Sequence, residues 1–113
     1  MRNDMNWFDV CSTDDIPLRG ARCVKTPLGP IGLLRIADGR IFAIEDRCPH
    51  RGGPLTQGIV HGTAVTCPLH NWAISLETGA ALGADNGATR TFAVRAHGGR
   101  VWLALETRMV SAA

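Results

Sequence analysis

Two short segments near the middle of the chain decide how it folds: RCPHRGGPL at residues 47–55 and TCPLHNW at residues 66–72. Residues 51–66 separate two cysteine–histidine pairs, one in each segment: Cys48 with His50, and Cys67 with His70. Thiolate and neutral imidazole are ligands that suit zinc and iron. Four such side chains in two compact loops therefore predict a metal site.

The order of the ligands helps to choose the metal. Common zinc modules pair cysteine with cysteine and, later, histidine with histidine, whereas each loop here has one of each. In a Rieske [2Fe–2S] centre two cysteines bind one iron and two histidines bind the other. Each loop would then give one ligand to each iron, which favours the iron–sulfur centre. A zinc site, and chance spacing around two structural turns, are the alternatives.

The residues between the ligands suit tight loops. Pro49 and Pro68 follow the two cysteines and restrict φ, which stiffens both loops. Gly52 and Gly53 allow the backbone to approach a cluster closely and to direct N–H groups at its sulfurs.

The two cysteine–histidine boxes are similar to those of the Rieske family, and the resemblance covers about residues 7–105. Four flanking segments resemble a narrower branch, the small subunit of assimilatory NAD(P)H-dependent nitrite reductase: GGPL at 52–55, GIVHG at 58–62, CPLHNW at 67–72 and SLETG at 75–79. The resemblance implies a [2Fe–2S] cofactor held by four residues, which are both its binding residues and its metal ligands: Cys48, His50, Cys67 and His70.

Length and patterning predict an all-β fold. The 113 residues fit one domain, and many short strands between glycine and proline turns are typical of an antiparallel sandwich or barrel. The resemblance implies the same fold with a small cluster-binding subdomain of two loops. We expect one Rieske domain over residues 1–113, with the cluster-binding insert at about residues 46–77 and a frayed tail at residues 107–113.

Apolar alternation places the predicted strands at residues 7–11, 21–25, 31–37, 40–45, 72–76, 90–96 and 100–106, with a short hairpin turning at His61 and Gly62. The Asp-Gly pair at residues 38–39 predicts a tight hairpin with a type I′ turn. Ile41 and Ala43 should face one side of their strand, and Phe42 and Ile44 the other.

Cys11 and Cys23 are not needed as ligands. We expect both to be small buried residues, with a second metal site or a disulfide between them as minor alternatives. His61 and His97 each precede a glycine in an apparent turn, and we expect both to face solvent.

Trp7 and Trp102 lie within strand patterns, so we expect them in the core. Trp72 directly follows the second ligand loop and is expected to cover the cluster or to contact a partner, with a place in the core as the alternative. Arg47 and Arg51 flank the first loop, where a redox partner would dock, and are expected to be solvated.

Charge and hydropathy exclude several classes of partner. The net charge of +2, from 12 basic and 10 acidic residues, is too small to imply nucleic acid. Residues 1–6 lack the apolar core of a signal peptide, and no apolar run approaches the ~18 residues of a membrane span. We expect a cytoplasmic protein with no nucleic-acid or membrane partner.

The sequence shows no nucleophile–base pair, phosphate loop or nicotinamide fingerprint, so no catalytic residue is predicted and the chain alone should carry electrons rather than catalyse. The resemblance implies the electron-transfer small subunit of an NAD(P)H-dependent nitrite reductase, an oxidoreductase of nitrate assimilation that converts nitrite to ammonium. Its partner would be the large subunit, which carries flavin, a [4Fe–4S] cluster and sirohaem.

Two other functions stay open. One is a free-standing Rieske ferredoxin that donates electrons to a ring-hydroxylating oxygenase. Such ferredoxins commonly continue the second box with glycine and then a Phe-Asp segment, whereas Asn71 and Trp72 follow here; this difference favours nitrite reductase. The other is a structural subunit with a vestigial cluster.

Overall fold

The computed structural model describes residues 5–48, 53–68, 71–82 and 87–106, without the side chains of residues 5 and 106. Within these ranges the strands, in chain order, are β1 (Met5–Ser12), β2 (Gly20–Thr26), β3 (Gly29–Arg35), β4 (Ile41–Glu45), β5 (Ile59–His61), β6 (Ala64–Thr66), β7 (Ala73–Ser75), β8 (Thr91–Phe92), β9 (Val94–His97) and β10 (Arg100–Glu106). Two single-turn 3-10 helices cover Thr13–Asp15 and Leu55–Gln57. The tail expected to fray, residues 107–113, lies outside the described residues.

The strands form three antiparallel sheets, which confirms the all-β prediction. The outer sheet has the order β1-β10-β9, the central sheet β2-β3-β4-β8, and the small sheet β5-β6-β7. The described part of the chain contains no helix with the length and hydropathy of a membrane span.

An apolar core lies on each face of the central sheet. The loop-side core joins β3 and β4 to the small sheet, and its buried residues are Leu34, Ile36, Ile44, Cys48, Leu55, Val60, Val65, Cys67, Ile74 and Leu76. The β10-side core joins the same two strands to the outer sheet, and its buried residues are Cys11, Ile16, Ile31, Leu33, Ala43, Val101, Leu103 and Leu105. Because strand side chains alternate between faces, one strand can serve both cores.

Strand β4 shows this division directly. Ala43 and Ile41 contribute to the β10-side core, whereas Ile44 and Phe42 contribute to the loop-side core. The predicted assignment of faces is confirmed, and β4 ends where the first ligand loop begins.

The hairpin between β3 and β4 forms as predicted, but its turn differs. Residues Ile36 and Arg40 are joined by a hydrogen bond, so three residues form the loop. Gly39 has a φ of +97°, whereas Asp38 is not among the described residues with positive φ. A type I′ turn needs positive φ at both central residues. The predicted turn type is therefore wrong, although glycine is still required.

The predicted strand at residues 90–96 is divided between two sheets. β8 pairs with β4 and β9 pairs with β10, while the carbonyl of Ala93 between them accepts the N–H of Ala104 at 3.0 Å. Phe92 and Val94 both pack against the β10-side core. The alternation is therefore unbroken where the chain changes sheets, and the sequence pattern did not reveal the change.

The expectation that Trp7 and Trp102 lie in the core is wrong. Trp7 is 38% exposed and Trp102 is only partly buried. Val101, Leu103 and Leu105 fill the core from β10, so the period of two places Trp102 on the opposite face of that strand. Trp7 lies on the same face, because its cross-strand partner is Ala104.

Gly58, between the 3-10 helix Leu55–Gln57 and β5, lies very close to the backbone of the neighbouring strand β6. A Cβ at this position would lie 2.1 Å from the carbonyl oxygen of Thr66 and 3.2 Å from that of Leu55. The backbone of the chain entering β5 therefore packs directly on the strand that leads to Cys67.

Replacing Gly58 with alanine should force this backbone apart and lower the free energy of unfolding by about 3 kcal/mol, at the upper end of typical overpacking costs. Gly62→Ala is a matched control in the same hairpin, because a Cβ there meets nothing within 4 Å. Its φ of +55° should cost only about 1 kcal/mol. Urea denaturation of both variants measures the difference, and equal costs would contradict the close approach.

Candidate metal centre

Two of the four predicted ligands lie in the described part of the chain, and both are buried in the loop-side core. Cys48 follows β4 and Cys67 follows β6, and each is 1% exposed. Neither of them forms a disulfide. His50 and His70 lie outside the described residues, so their assignment as ligands stays a prediction.

The two ligand loops are closed by equivalent backbone hydrogen bonds. The N–H of Cys48 donates to the carbonyl of Gly53 at 2.7 Å, and the N–H of Cys67 donates to the carbonyl of Trp72 at 2.7 Å. Each bond joins a cysteine to the fifth residue after it. The second loop has a further bond, in which the N–H of Asn71 donates to the carbonyl of Cys67 at 3.1 Å.

Asn71 adopts a left-handed backbone conformation in the turn that closes the second loop. Its φ is +59°, in a region that glycine and asparagine enter more readily than other residues. In the first loop Gly53 is buried and accepts the closing bond, while Gly52 lies outside the described residues. The predicted role of these glycines in directing N–H groups at a cluster therefore remains a prediction.

These residues fit the cysteine half of an iron–sulfur site. Two cysteines outside any disulfide start two similarly closed loops from one apolar core, and iron–sulfur clusters are held by cysteine thiolates. Within the described ranges, no group of three or more cysteine, histidine or acidic side chains is close enough to hold a metal ion. The full predicted set includes two histidines beyond those ranges.

A buried carboxylate ties the first ligand loop to the central sheet, and sequence reasoning missed it. Asp46 is 6% exposed, and its carboxylate accepts hydrogen bonds from the N–H of Thr56 at 2.8 Å and from its hydroxyl at 2.7 Å. The N–H of Asp46 donates to the carbonyl of Pro30 at 3.0 Å. Since residue 46 precedes the loop and residue 56 follows it, this contact fixes both ends of the loop to β3.

Gly32 on β3 leaves space for that contact. A Cβ at Gly32 would lie 2.8 Å from the methyl carbon of Thr56. The signal in the sequence was an aspartate close before a ligand cysteine and a threonine shortly after the loop, but many exposed pairs share that spacing. Only burial shows that the two side chains meet.

The two cysteines outside the ligand set have different environments. Cys11 is buried, as expected, and burial raises the pKa of its thiol. Cys23 is exposed, so that expectation is wrong; it lies on the edge strand β2 of the central sheet. Partial desolvation and a hydrogen bond with Asp46 raise the pKa of the Cys23 thiol. Both are free, and no disulfide joins them.

The predictions that His61, His97 and Arg47 face solvent are confirmed. His61 and His97 are exposed, and the Nε2 atom of His61 lies 2.6 Å from the hydroxyl of Thr66, the residue before Cys67. Trp72 packs against the loop-side core. Arg47 is exposed, whereas Arg51 lies outside the described residues.

Residues 6–104 match the Rieske-like [2Fe–2S] domain family. The chain belongs to this family. Its cofactor is a Rieske [2Fe–2S] cluster, and it is an electron-transfer protein of the kind that works with oxidoreductases.

Individual relatives come from oxygenase systems. The chain is 40% identical over 80 residues to the 3-phenylpropionate/cinnamic acid dioxygenase ferredoxin subunit of Photorhabdus laumondii, covering 69% of this chain and 73% of that protein. It is 40% identical over 109 residues to the 4β-methylsterol monooxygenase of Methylococcus capsulatus, covering 86% of this chain. The chain spans only 29% of the length of that monooxygenase.

A solved structure represents the other branch. The protein from Mycobacterium tuberculosis assigned as an NADH-dependent nitrite reductase small subunit superposes with a TM-score of 0.82 at 23% identity. The match covers 91% of this chain and 97% of that one. At this identity the likeness shows a shared fold.

Removing the Thr56 hydroxyl while keeping its shape should weaken the tie between the first loop and β3. Thr56→Val leaves a buried carboxylate oxygen without its 2.7 Å partner, which should lower the free energy of unfolding by about 1–3 kcal/mol. Thr63→Val is the control, because no hydrogen bond of the Thr63 hydroxyl is found among the described residues. Equal unfolding curves for the two variants would contradict the tie.

Proposed function

We propose that this chain is the electron-transfer small subunit of an NAD(P)H-dependent nitrite reductase that reduces nitrite to ammonium in nitrate assimilation. The observation that carries the proposal is the second ligand box, residues 67–72, which ends in Trp72. Trp72 closes its loop through the backbone and packs its side chain against the core that contains both buried thiols. Three further segments at residues 52–55, 58–62 and 75–79 resemble the same subunit.

We further propose that residues 46–77 form the cluster-binding part of a single domain. Cys48 and Cys67 would bind one iron, and His50 and His70 the other. The equivalent closure of both loops and the shared burial of both thiols support this assignment. A cluster with this ligation accepts and releases one electron at a time, and no residue of this chain is proposed as catalytic.

The chain's own residues would insulate one side of the cluster and present the other to a partner. The loop-side core excludes water from the two thiols. Next to these buried positions, Arg47, Pro54 and Pro68 are exposed. Electrons would therefore enter and leave at the loop end of the molecule.

The ligand assignment predicts the loss of iron when any one ligand is removed. Cys48→Ser and His70→Ala should both purify without the cluster and unfold more easily, since metal binding contributes to folding. Iron analysis and EPR of the reduced, anaerobically purified protein measure this, because mixed cysteine–histidine ligation gives a low average g-value. Cys23→Ser is the matched control and should retain both iron and the signal.

Native iron content in the Cys48 or the His70 variant would remove that residue from the ligand set. The control separates loss of a ligand from a general effect of losing a cysteine, because Cys23 is exposed and lies outside the predicted ligand set.

A ferredoxin that supplies an oxygenase is the second candidate, and the relatives favour it. The Photorhabdus ferredoxin subunit is 40% identical, and the match covers 73% of that protein. Asn71 in place of the glycine of such ferredoxins does not argue against this candidate. Its φ is +59°, and glycine and asparagine are both suited to that conformation. Trp72 remains the residue that separates the two candidates in this box.

Reconstitution with purified partners distinguishes the candidates. We expect the cluster-loaded chain to increase NAD(P)H-dependent ammonium formation by the nitrite reductase large subunit from the same genome, and the iron-free Cys48→Ser variant not to do so. An equal increase with the variant would indicate a structural subunit with a vestigial cluster. No increase, together with rapid oxidation of the reduced chain by a ring-hydroxylating oxygenase, would indicate a ferredoxin.

A further inference from the structure

The exposed face of the outer sheet carries a cluster of aromatic and basic side chains, the aromatic–arginine patch: Trp7, Arg95, His97 and Trp102. These residues line a shallow groove of about 290 Å³. Strand register places them together, since Trp102 is directly opposite Arg95 and Trp7 is directly opposite Ala104. Ala104, although on this outward face, has no exposed surface, so the neighbouring large side chains cover it.

Arg95 gives the patch a positive charge that no described residue neutralises. Its guanidinium carbon lies 4.5 Å from the centroid of the Trp7 ring, and no ion pair or hydrogen bond of its side chain is found within the described ranges. Arg100 on the same face is different, because it pairs with Asp9 at 2.9 Å. The Arg95 donors are therefore held in position over an aromatic ring and remain available to an anion.

We propose that the aromatic–arginine patch anchors this chain to a partner protein through a segment that carries a carboxylate beside an apolar side chain. Tryptophan and arginine are the residues that most often dominate protein interfaces, and the unneutralised Arg95 requires an acidic complement. The proposal rests on the proposed function, so the partner is the large subunit of the nitrite reductase.

A second copy of this chain fits the patch poorly. A symmetric dimer uses the same surface on both subunits, and the patch would then bring two Arg95 side chains into one interface. Like charges that face each other oppose association. The patch is therefore complementary to an acidic surface rather than to itself.

The position of the patch also fits an anchor. The central sheet and both apolar cores lie between the outward face of the outer sheet and the loops of Cys48 and Cys67. A partner bound at the patch would leave the loop end accessible. Substitutions at the patch should consequently change assembly and leave the cluster unchanged.

The test compares two arginines that both lie over aromatic rings. Arg40 lies 5.6 Å from the centroid of the Phe42 ring, but it is already paired with Asp38 at 2.9 Å. Isothermal titration of the cluster-loaded full chain with the purified large subunit gives the Kd for wild type, Arg95→Gln and Arg40→Gln. We expect about a tenfold weaker Kd for Arg95→Gln, which corresponds to about 1.4 kcal/mol, and an unchanged Kd for Arg40→Gln.

Two further measurements accompany the titration. The reduced EPR spectrum and iron content of Arg95→Gln should equal those of wild type, and sedimentation should show the same association state for both. Wild-type affinity should fall with added salt, because an exposed ion pair is screened.

Each contrary outcome has a distinct meaning. If wild type binds the large subunit and Arg95→Gln binds equally well, the patch is not the anchor and the proposed function stands. If Arg95→Gln and Arg40→Gln weaken the Kd equally, the loss comes from the change in net charge and not from the patch, and the proposal is overturned. Self-association of wild type that Arg95→Gln abolishes, or saturable binding of benzoate that the same substitution removes, would assign the patch to a different occupant. If wild type does not bind the large subunit, the proposed function fails and this partner with it.

Discussion

Two backbone hydrogen bonds hold the arrangement on which the rest of the structure depends: the N–H of Cys48 to Gly53, and the N–H of Cys67 to Trp72. Each satisfies a buried donor at the point where a strand gives way to a loop. Each also leaves its thiol in the loop-side core. The strands β4 and β6 belong to different sheets, so the loop-side core is what brings the two cysteines to one end of the molecule.

The central sheet separates the ligand loops from the outer sheet. β3 and β4 send alternate residues into two separate cores, and Asp46 fixes the first loop to β3 through Thr56 and Pro30. Among the described residues, the outer sheet contributes to the β10-side core and not to the loop-side core. Its opposite face is therefore free to carry large aromatic side chains that contribute little to the core.

The sequence predicted the features that local rules determine. Alternation in β4 and β10, the turn glycines and the ligand spacing follow from strand period and backbone freedom. Contacts between distant residues were missed: the burial of Asp46 against Thr56, and the change of sheet at Ala93, leave no trace in a local pattern. Trp102 was an error of another kind, because the alternation of Val101, Leu103 and Leu105 already places it outward. The two histidines of the predicted site remain predictions from the family resemblance.

Some residues in the segments that resemble the nitrite reductase subunit are required by the fold, and these carry no information about function. The structure identifies several of them. A Cβ at Gly58 would meet the Thr66 carbonyl, and one at Gly79 would meet the Thr89 carbonyl, at 2.1 Å each. Any chain with this packing needs glycine at both positions, and Asn71 occupies a conformation that glycine shares. Such residues cannot distinguish a reductase subunit from a ferredoxin. A carrier that diffuses between partners needs one docking surface at its loops, whereas a permanent subunit needs a second surface that leaves those loops accessible. Residues on the outward face of β1, β9 and β10 are therefore more informative about function than the glycines around the ligands.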